Sequence, residues 1–223
     1  MQKGIKFRIY PNREQKNFIH QTLGCCRLIY NRGLAMRKEG YEKGEKIGYG
    51  QTSAMLTELK KQEEFAFLKA ADSIALQQSL RDLDRGFVNF FQKRASYPTF
   101  KSKHNRFQSY RTVNQKDNIR IVGRYLKLPK LGFVKIRQSM EVGKINHVTI
   151  EHTPAGKYFA VLNVDFEPEP RQNGGGTIGI DVGIKTFYSD SNGNTVSNPR
   201  YLERSMRKLI REPVSYTHLR AHE

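Results

Sequence analysis

Tryptophan is missing from the sequence, and cysteine is nearly so. The 223 residues contain no Trp and two Cys, which are neighbours at Cys25 and Cys26. Because adjacent residues on a helix point in different directions, this pair is a poor candidate for a shared metal ion or an ordinary disulfide. We interpret both as reduced thiols in or near the core of a protein from a reducing compartment.

Long apolar runs are also absent. No stretch approaches the roughly 18 apolar residues that a membrane-spanning helix needs. The N-terminal MQKGIKFRIYPNR lacks the apolar core of a signal peptide. These features predict a cytoplasmic protein with no membrane partner.

Acidic residues are scarce. There are 21 Asp and Glu against 39 Lys and Arg, so the formal net charge is +18. A field of this sign favours a polyanionic partner, and nucleic acid is the commonest one, which predicts a nucleoid-associated protein. Hydrophobic residues still make up 37% of the chain, with 13 Phe and 11 Tyr, enough for one or two packed cores.

The apolar pattern predicts an α+β fold in which an antiparallel sheet or small barrel carries an inserted helical unit. At 2–10, Ile5, Phe7 and Ile9 alternate with polar residues, which is the period of a strand with one buried face. Further strand-like segments lie at 119–122, 125–128, 133–137, 148–152 and 158–165. We therefore expect residues 1–10 and 112–170 to form the barrel.

Residues 11–111 are expected to form the helical unit. Asn12 with Gln15 suits the start of a first helix that ends near Gly40, and Asp72 or Ser73 suits the start of a longer helix. The helices could also form a helix-turn-helix that reads the major groove, but three amphipathic helices more often form a simple bundle.

The stretch 92–111, QKRASYPTFKSKHNRFQSYR, mixes cations and aromatic rings without an acid. Cations that meet phosphates and rings that stack on bases are the contacts of a nucleic-acid groove. The alternative is a solvated basic loop whose rings pack into the core. Exposed positions of the predicted sheet are basic as well. The candidate nucleic-acid contacts are Lys93, Arg94, Tyr97, Lys101, Lys103, Arg106, Arg111, Arg120, Arg124, Lys127 and Lys130.

A proline- and glycine-rich linker at 171–176 leads to TIGIDVGIKTFYSDSNGNT at 177–195. Its pattern predicts a buried strand with Ile178, Ile180 and Val182, followed by a hairpin whose turn is at 191–194. A carboxylate inside an apolar strand is costly unless it is paired or binds a metal ion, which makes Asp181 the candidate catalytic and metal-binding residue. The alternative is that Asp-x-Gly only shapes a turn.

Several motifs occur in collinear order from residue 3 to about residue 210, and together they resemble the TnpB family of transposon-encoded RNA-guided DNA endonucleases. This family is also known as OrfB-type insertion-sequence transposases and is related to type V CRISPR effectors. The motifs are KFRIYP at 6–11, GCCRLIYN at 24–31, LQ at 76–77 through FVNFF at 87–91, YPTFK at 97–101, LPKLG at 128–132, GKYF at 156–159 and GIDVG at 179–183.

The resemblance implies a wedge-type β-barrel with an inserted recognition unit, and an RNase H-like nuclease domain of the RuvC type that starts at 177–212. Asp181 falls on the first catalytic acid of that domain, where carboxylates hold two Mg²⁺ ions. A guide RNA from the transposon end would select double-stranded target DNA by base pairing, while the protein reads a short flanking motif. Ser73 and Gln77 are the candidates for that reading.

The end of the sequence departs from the family pattern. VSYTHLRAHE at 214–223 matches an in-frame translation of the transposon-end adaptor used for sequencing libraries, and Pro213 fits the bases that precede it. We therefore expect 213–223 to be an artefact, so that His218 and His222 carry no function despite their zinc-like spacing. Two further catalytic acids and a four-cysteine zinc ribbon would lie downstream in the family. One carboxylate cannot hold two metal ions, which predicts an inactive, C-terminally truncated fragment.

Two other functional classes compete with this interpretation. A stand-alone nucleic-acid-binding protein, such as a repressor of its own transposon, would use Asp181 structurally. An actin-like ATPase would also contain Asp-x-Gly in a phosphate loop, but it needs a second phosphate loop and gives no reason for the charge of +18.

Overall fold

The computed structural model describes residues 1–167 and 176–211. The chain divides into two units, Met1–Pro168 and Glu169–Glu223, and each is described by itself. Most of the predicted linker at 171–176 and all of the predicted artefact at 213–223 lie outside the described residues. No helix among the described residues is both long and apolar enough to cross a membrane.

The first unit is an α+β structure in which helices follow the first strand of a curled antiparallel sheet. The elements are β1 (Gln2–Tyr10), α1 (Arg13–Glu42), α2 (Tyr49–Leu59), a 3₁₀ helix (Glu63–Lys69), α3 (Ser73–Phe91), β2 (Gln108–Val113), β3 (Arg120–Val122), β4 (Tyr125–Leu128), β5 (Gly132–Arg137), β6 (Ile145–His152) and β7 (Tyr158–Asp165). The strands stand in the order β2-β6-β7-β1-β5-β4-β3. Strand β1 thus lies inside the sheet, paired with β7 on one side and β5 on the other.

Strand β1 and the start of α1 follow directly from their sequences. Ile5, Phe7 and Ile9 are buried, and the residues between them are exposed. Asn12 caps α1 by accepting a hydrogen bond from the Gln15 amide at 2.8 Å, and the Gln15 side chain accepts one in return from the Asn12 amide at 3.0 Å. The Gln15 side chain also donates to the Phe133 carbonyl at 2.9 Å, which joins the cap of the helix to β5.

The core runs continuously from the sheet into the helices, because apolar residues of α1, α2 and α3 pack in one cluster with those of the strands. Gly33 lets α1 and α3 approach closely, since a Cβ there would lie 2.9 Å from a methyl group of Leu80. A second small cluster joins the same two helices and consists of Tyr30, Leu34, Leu83 and Phe87.

The second unit contains a three-stranded antiparallel sheet and a helix. Its elements are β8 (Ile180–Asp181), β9 (Thr186–Asp190), β10 (Thr195–Ser197) and α4 (Tyr201–Arg211), and the strand order is β10-β9-β8. The turn at 191–194 joins β9 to β10 as predicted, with Gly193 in the left-handed region at φ +86°.

The prediction of a buried strand at 178–182 is wrong. Ile178, Ile180 and Val182 are 50%, 59% and 67% exposed. The apolar alternation is present, but within the described residues of this unit only β9 pairs with β8. A strand can be buried only when other layers cover its faces, and a periodic sequence does not supply those layers.

Two helix and strand boundaries also differ from expectation. Helix α1 continues past Gly40 to Glu42. The basic stretch does not remain a loop to residue 111, because Gln108–Val113 forms β2 and pairs with β6 along its whole length. Tyr110 and Thr112 are the two buried residues of this strand, and this short, half-polar alternation is a weak strand signal.

Candidate nucleic-acid interface and the Asp181 hairpin

The basic stretch between α3 and β2 is fixed to α1 by one asparagine. The Asn31 side chain donates to the Lys101 carbonyl at 3.0 Å and accepts from the Lys101 amide at 2.8 Å. These bonds satisfy both main-chain groups of Lys101 in a segment without regular secondary structure. The YPTFK motif therefore has a defined position against the helices.

The aromatic residues of this stretch divide between packing and exposure. The Tyr97 ring meets Phe87 and Phe90 edge to face, with ring centroids 5.5 and 5.2 Å apart. Phe100 and Phe107 are 55% and 85% exposed. Tyr97 thus packs against α3, whereas Phe100 and Phe107 are exposed to solvent.

Lys101 is held against the protein. Its Nζ atom lies 4.1 Å from the centroid of the Tyr30 ring, a cation–π distance. Burial lowers the pKa of Lys101 below its usual range, and Asp82 and Cys26 partly oppose this shift. Lys101 therefore packs against Tyr30 and also supplies a cationic group.

Two candidate contacts have structural partners. Arg111 on β2 forms an ion pair with Asp82 of α3. Lys130 donates to the carbonyls of Lys69 and Ala71, at 2.5 and 2.9 Å, and so caps the end of the 3₁₀ helix. Both side chains bind groups of the protein itself.

The remaining candidate cations are available to an external partner. All are exposed except Lys127, which is half-buried, and none forms an ion pair with an acid of the described ranges 1–167 and 176–211. These residues are Lys93, Arg94, Lys103, Arg106, Arg120, Arg124 and Lys127.

Ser73 and Gln77 lie on the exposed side of the first turns of α3. Residues four apart on a helix are neighbours on its surface. The Asp72 side chain caps this helix by accepting from the Ile74 amide at 2.9 Å. The two polar side chains therefore stand together beside a capped helix start.

A cleft of about 550 Å³ places two histidines, which no sequence motif indicates, beside the candidate cation Lys103. It is lined by His20, Gln21, Arg27, Lys103, Gln108 and His152. His20 Nε2 is 2.8 Å from the Tyr158 hydroxyl, and its ring meets that of His152 edge to face at 4.8 Å. These histidines are distant in sequence, and only the packing of α1 beside β6 and β7 brings them together, so no local motif signalled them.

Asp181 lies on the short strand β8 and is exposed. Its register partner on β9 is Ser189, while Ile180 stands opposite Asp190. Directly opposed residues of an antiparallel pair share a face, and successive residues alternate, so Asp181 and Asp190 point to opposite faces. The desolvation cost that singled out Asp181 in the sequence does not arise where the carboxylate is exposed.

Asp190 organises the β9–β10 turn. Its carboxylate accepts hydrogen bonds from the amides of Asn192 and Asn194 and from the Tyr188 hydroxyl, all at 2.9 Å. The Asn194 side-chain amide also donates to this carboxylate at 2.9 Å, and that bond contributes most to lowering the pKa of Asp190 below its usual range. Gly183 is required by the neighbouring turn, since a Cβ there would lie 2.9 Å from the Thr186 carbonyl.

The carboxylates of the hairpin do not converge. Among the described residues, no three His, Cys, Asp or Glu side chains are grouped so that they could hold a metal ion. Asp181 can supply one oxygen ligand to Mg²⁺, but by itself it does not fit a site for two ions.

Comparison with known proteins gives both a domain match and relatives that are similar over nearly the whole chain. The profile of a helix-turn-helix domain of the OrfB IS605 type matches residues 1–46, which here form β1, α1 and the residues just after it. A "Putative RNA-guided DNA endonuclease" of Streptomyces pristinaespiralis is 34% identical over 216 residues, 95% of this chain and 53% of its own length. The "Putative RNA-guided DNA endonuclease InsQ" of Escherichia coli K12 is 33% identical over 215 residues, 94% of this chain and 52% of its own.

A shorter relative is the "Virulence protein VsdF" of Salmonella dublin, which is 32% identical over 116 residues, 48% of this chain and 98% of its own. The chain spans about half the length of the two longer relatives.

Proposed function

Since the chain belongs to the TnpB family, we propose that it acts in a transposon-associated, RNA-guided DNA endonuclease. Its first unit would bind the guide RNA and the target DNA. The observation that carries this proposal is the similarity over nearly the whole chain to two relatives named as such endonucleases. The exposed cations of the first unit support it, because phosphate contacts need unpaired positive charge.

The finer architecture is part of the proposal. The sheet of the first unit would be the wedge-type barrel of residues 1–10 and 112–170, and residues 11–111 would be the inserted recognition unit. The position of β1 between β7 and β5, with the helices following it in sequence, supports this division. The hairpin of β8, β9 and β10 would start a RuvC-like nuclease domain at 177–212.

We assign the recognition steps to different surfaces. A guide RNA from the transposon end would select the target by base pairing, and cations such as Lys103 and Arg106 would hold RNA phosphates. Ser73 and Gln77 would read the flanking DNA motif, because they are paired polar groups on an exposed helix face.

Asp181 would be one Mg²⁺ ligand of the nuclease site. In such a site, bound Mg²⁺ activates water and neutralises the leaving oxygen. The described residues bring this carboxylate alone to the position, so we derive no catalytic step from them. Cys25 and Cys26 are free and buried in the first unit and do not fit a zinc ribbon.

The test of RNA binding is its salt dependence. The Lys103→Gln and Arg106→Gln double variant should lower the slope of log K against log salt concentration by about two, one for each phosphate that no longer meets a cation. A matched control is Lys38→Gln with Lys43→Gln, two exposed lysines of the α1 end. An equal slope in both double variants would remove the segment from the interface, and failure of the wild-type chain to bind RNA would refute the proposed function.

We further propose that the 223-residue chain does not cleave DNA. A two-metal route needs several converging carboxylates. Labelled duplex carrying a matched target should remain intact with guide RNA in Mg²⁺ or Mn²⁺, and Asp181→Ala should leave RNA binding unchanged. Guide-dependent cleavage by the chain would overturn this part of the proposal.

A further inference from the structure

The outer face of the first sheet carries a regular arrangement of rings and cations. Tyr10 of β1 and Tyr125 of β4 are both register partners of Lys135, which lies on β5 between them. In the next row, Phe133 of β5 is opposite Lys127 of β4. Opposed residues share a face, so these side chains stand on one surface. We call Arg8, Tyr10, Tyr125, Lys127, Phe133 and Lys135 the outer platform.

The rings of the outer platform are open to solvent. Tyr10, Tyr125 and Phe133 are 44%, 47% and 51% exposed, while their sequence neighbours Ile9, Leu126 and Val134 are buried in the core. Rings on a solvated sheet face contribute nothing to that core. Three of them on three adjacent strands form a concentrated apolar surface, and such surfaces often mark binding sites.

Cations lie over two of the three rings. The Arg8 guanidinium is 5.3 Å from the centroid of the Tyr10 ring, and Lys127 Nζ is 6.0 Å from that of Phe133. Strands β1, β5, β4 and β3 contain seven Lys and Arg and no Asp or Glu. The nearby carboxylate of Glu151, on β6, is paired with Lys6 at 2.5 Å.

A cleft of about 840 Å³ opens at the Tyr10 and Lys135 end of the outer platform. Arg124, Lys135 and Arg137 supply its cations, and Glu141 is its one acidic lining residue. These three cations extend the positive surface of the outer platform beyond Lys135.

We propose that the outer platform binds single-stranded nucleic acid, with bases stacked on Tyr10, Tyr125 and Phe133 and phosphates on Arg8, Lys127 and Lys135. This inference rests on the proposed function and gives it a second, single-strand-specific surface. A duplex offers phosphates to the cations but keeps its bases stacked inside, so the rings distinguish the two forms. Tyr10 and Tyr125 stand two strands apart, about 10 Å at the usual strand spacing, which suits bases splayed across the sheet.

The test uses the full chain and an end-labelled, mixed-sequence RNA of about 12 nucleotides, within the usual range of single-strand site sizes. The same sequence is also prepared as single-stranded DNA and as an RNA duplex. Tyr10→Leu, Tyr125→Leu and Phe133→Leu are made singly and together. Tyr41→Leu is the matched control, because Tyr41 lies on α1 and is 82% exposed. Thermal melting checks that each variant folds.

Each ring substitution should weaken the Kd for single-stranded RNA about 5- to 150-fold, the range measured for loss of one stacked base. Duplex binding and the salt slope should stay unchanged, because no cation is removed. Arg8→Gln with Lys135→Gln should instead lower the salt slope by about two. If affinity for single-stranded RNA and for single-stranded DNA falls equally, the platform binds both kinds of strand. If only the affinity for RNA falls, the platform is specific for RNA.

The inference fails if the triple variant binds single-stranded RNA like Tyr41→Leu, or if it loses duplex binding to the same extent. If the rings have no effect while Lys103→Gln and Arg106→Gln still lower the salt slope, the platform is wrong and the proposed function stands. If the wild-type chain binds no RNA, both the platform proposal and the proposed function are wrong.

Discussion

Lys127 and Lys130 are three residues apart and of the same residue type, yet they face different partners. Lys130 caps three carbonyls of the first unit, while Lys127 lies beside an exposed ring. We predict that Lys130→Met lowers the free energy of unfolding by about 1–2 kcal/mol, because those carbonyls lose a charged donor, and leaves the salt slope of RNA binding unchanged.

Lys127→Met is the comparison for that prediction. It should lower the free energy of unfolding by less than about 0.5 kcal/mol, as surface substitutions usually do. It should also reduce the salt slope of RNA binding by about one. Urea unfolding and anisotropy titrations measure the two quantities. A reduced salt slope in Lys130→Met would show that Lys130 contacts the nucleic acid.

His152 should make stability depend on pH. Burial, followed by the neighbouring His20, lowers its pKa below the usual 6.5. The unfolded chain then binds the proton more readily than the folded one, so stability is greatest above 6.5 and falls as the pH drops through that value. His152→Gln should flatten the decline in Tm between about pH 7.5 and 5.5. The exposed His104→Gln should not, and an equal effect of both would exclude this cause.

Residue type was readable from the sequence, but the partners of each side chain were not. Arg111 and Arg106 lie in the same basic stretch, and only the packing of β2 against α3 places Arg111 beside Asp82. The pairing of His20 with His152 likewise depends on contacts between segments far apart in sequence. Composition therefore predicted a basic surface without separating its structural cations from the available ones.

At the scale of elements, the cap of α1 is the clearest local signal. We predict that Asn12→Ala lowers the free energy of unfolding by about 1 kcal/mol, the usual cost of losing a side-chain cap. Asn12→Ser keeps a capping oxygen and should lower the free energy of unfolding much less. Denaturant titration of both variants measures the difference, and equal costs would show that the cap oxygen does not matter.

Elements with strong local patterns were predicted, and those that depend on partners were not. The predicted strand at 2–10 is confirmed, because three apolar residues alternate without interruption. Strand β2 was missed because its cations resembled a loop, and β6 pairs with it regardless. Of the strand predicted around Asp181, only Ile180–Asp181 forms, and it is exposed, since an apolar alternation is the same with or without a covering layer.

At the scale of the whole molecule, the buried apolar residues belong to the first unit. All those in the described residues lie between Ile5 and Val164. We predict that residues 1–167 alone fold cooperatively, with a Tm within about two degrees of the full chain, because they contain this entire core. Calorimetry of both proteins measures this. A molten or much less stable 1–167 would show that the core needs the second unit.

The place of β1 in the sheet has a consequence for synthesis on the ribosome. Gln2 pairs with Asp165, and Arg8 pairs with both Arg137 and Phe159. The first strand to be translated therefore finds its neighbours only after most of the unit has been made, roughly six to thirty seconds later at bacterial elongation rates of about 5–20 residues per second. Helices α1 and α3 pack on each other through Tyr30, Leu34, Leu83 and Phe87, all synthesised well before β5 and β7, so we expect them to start folding while the first strand is still unpaired.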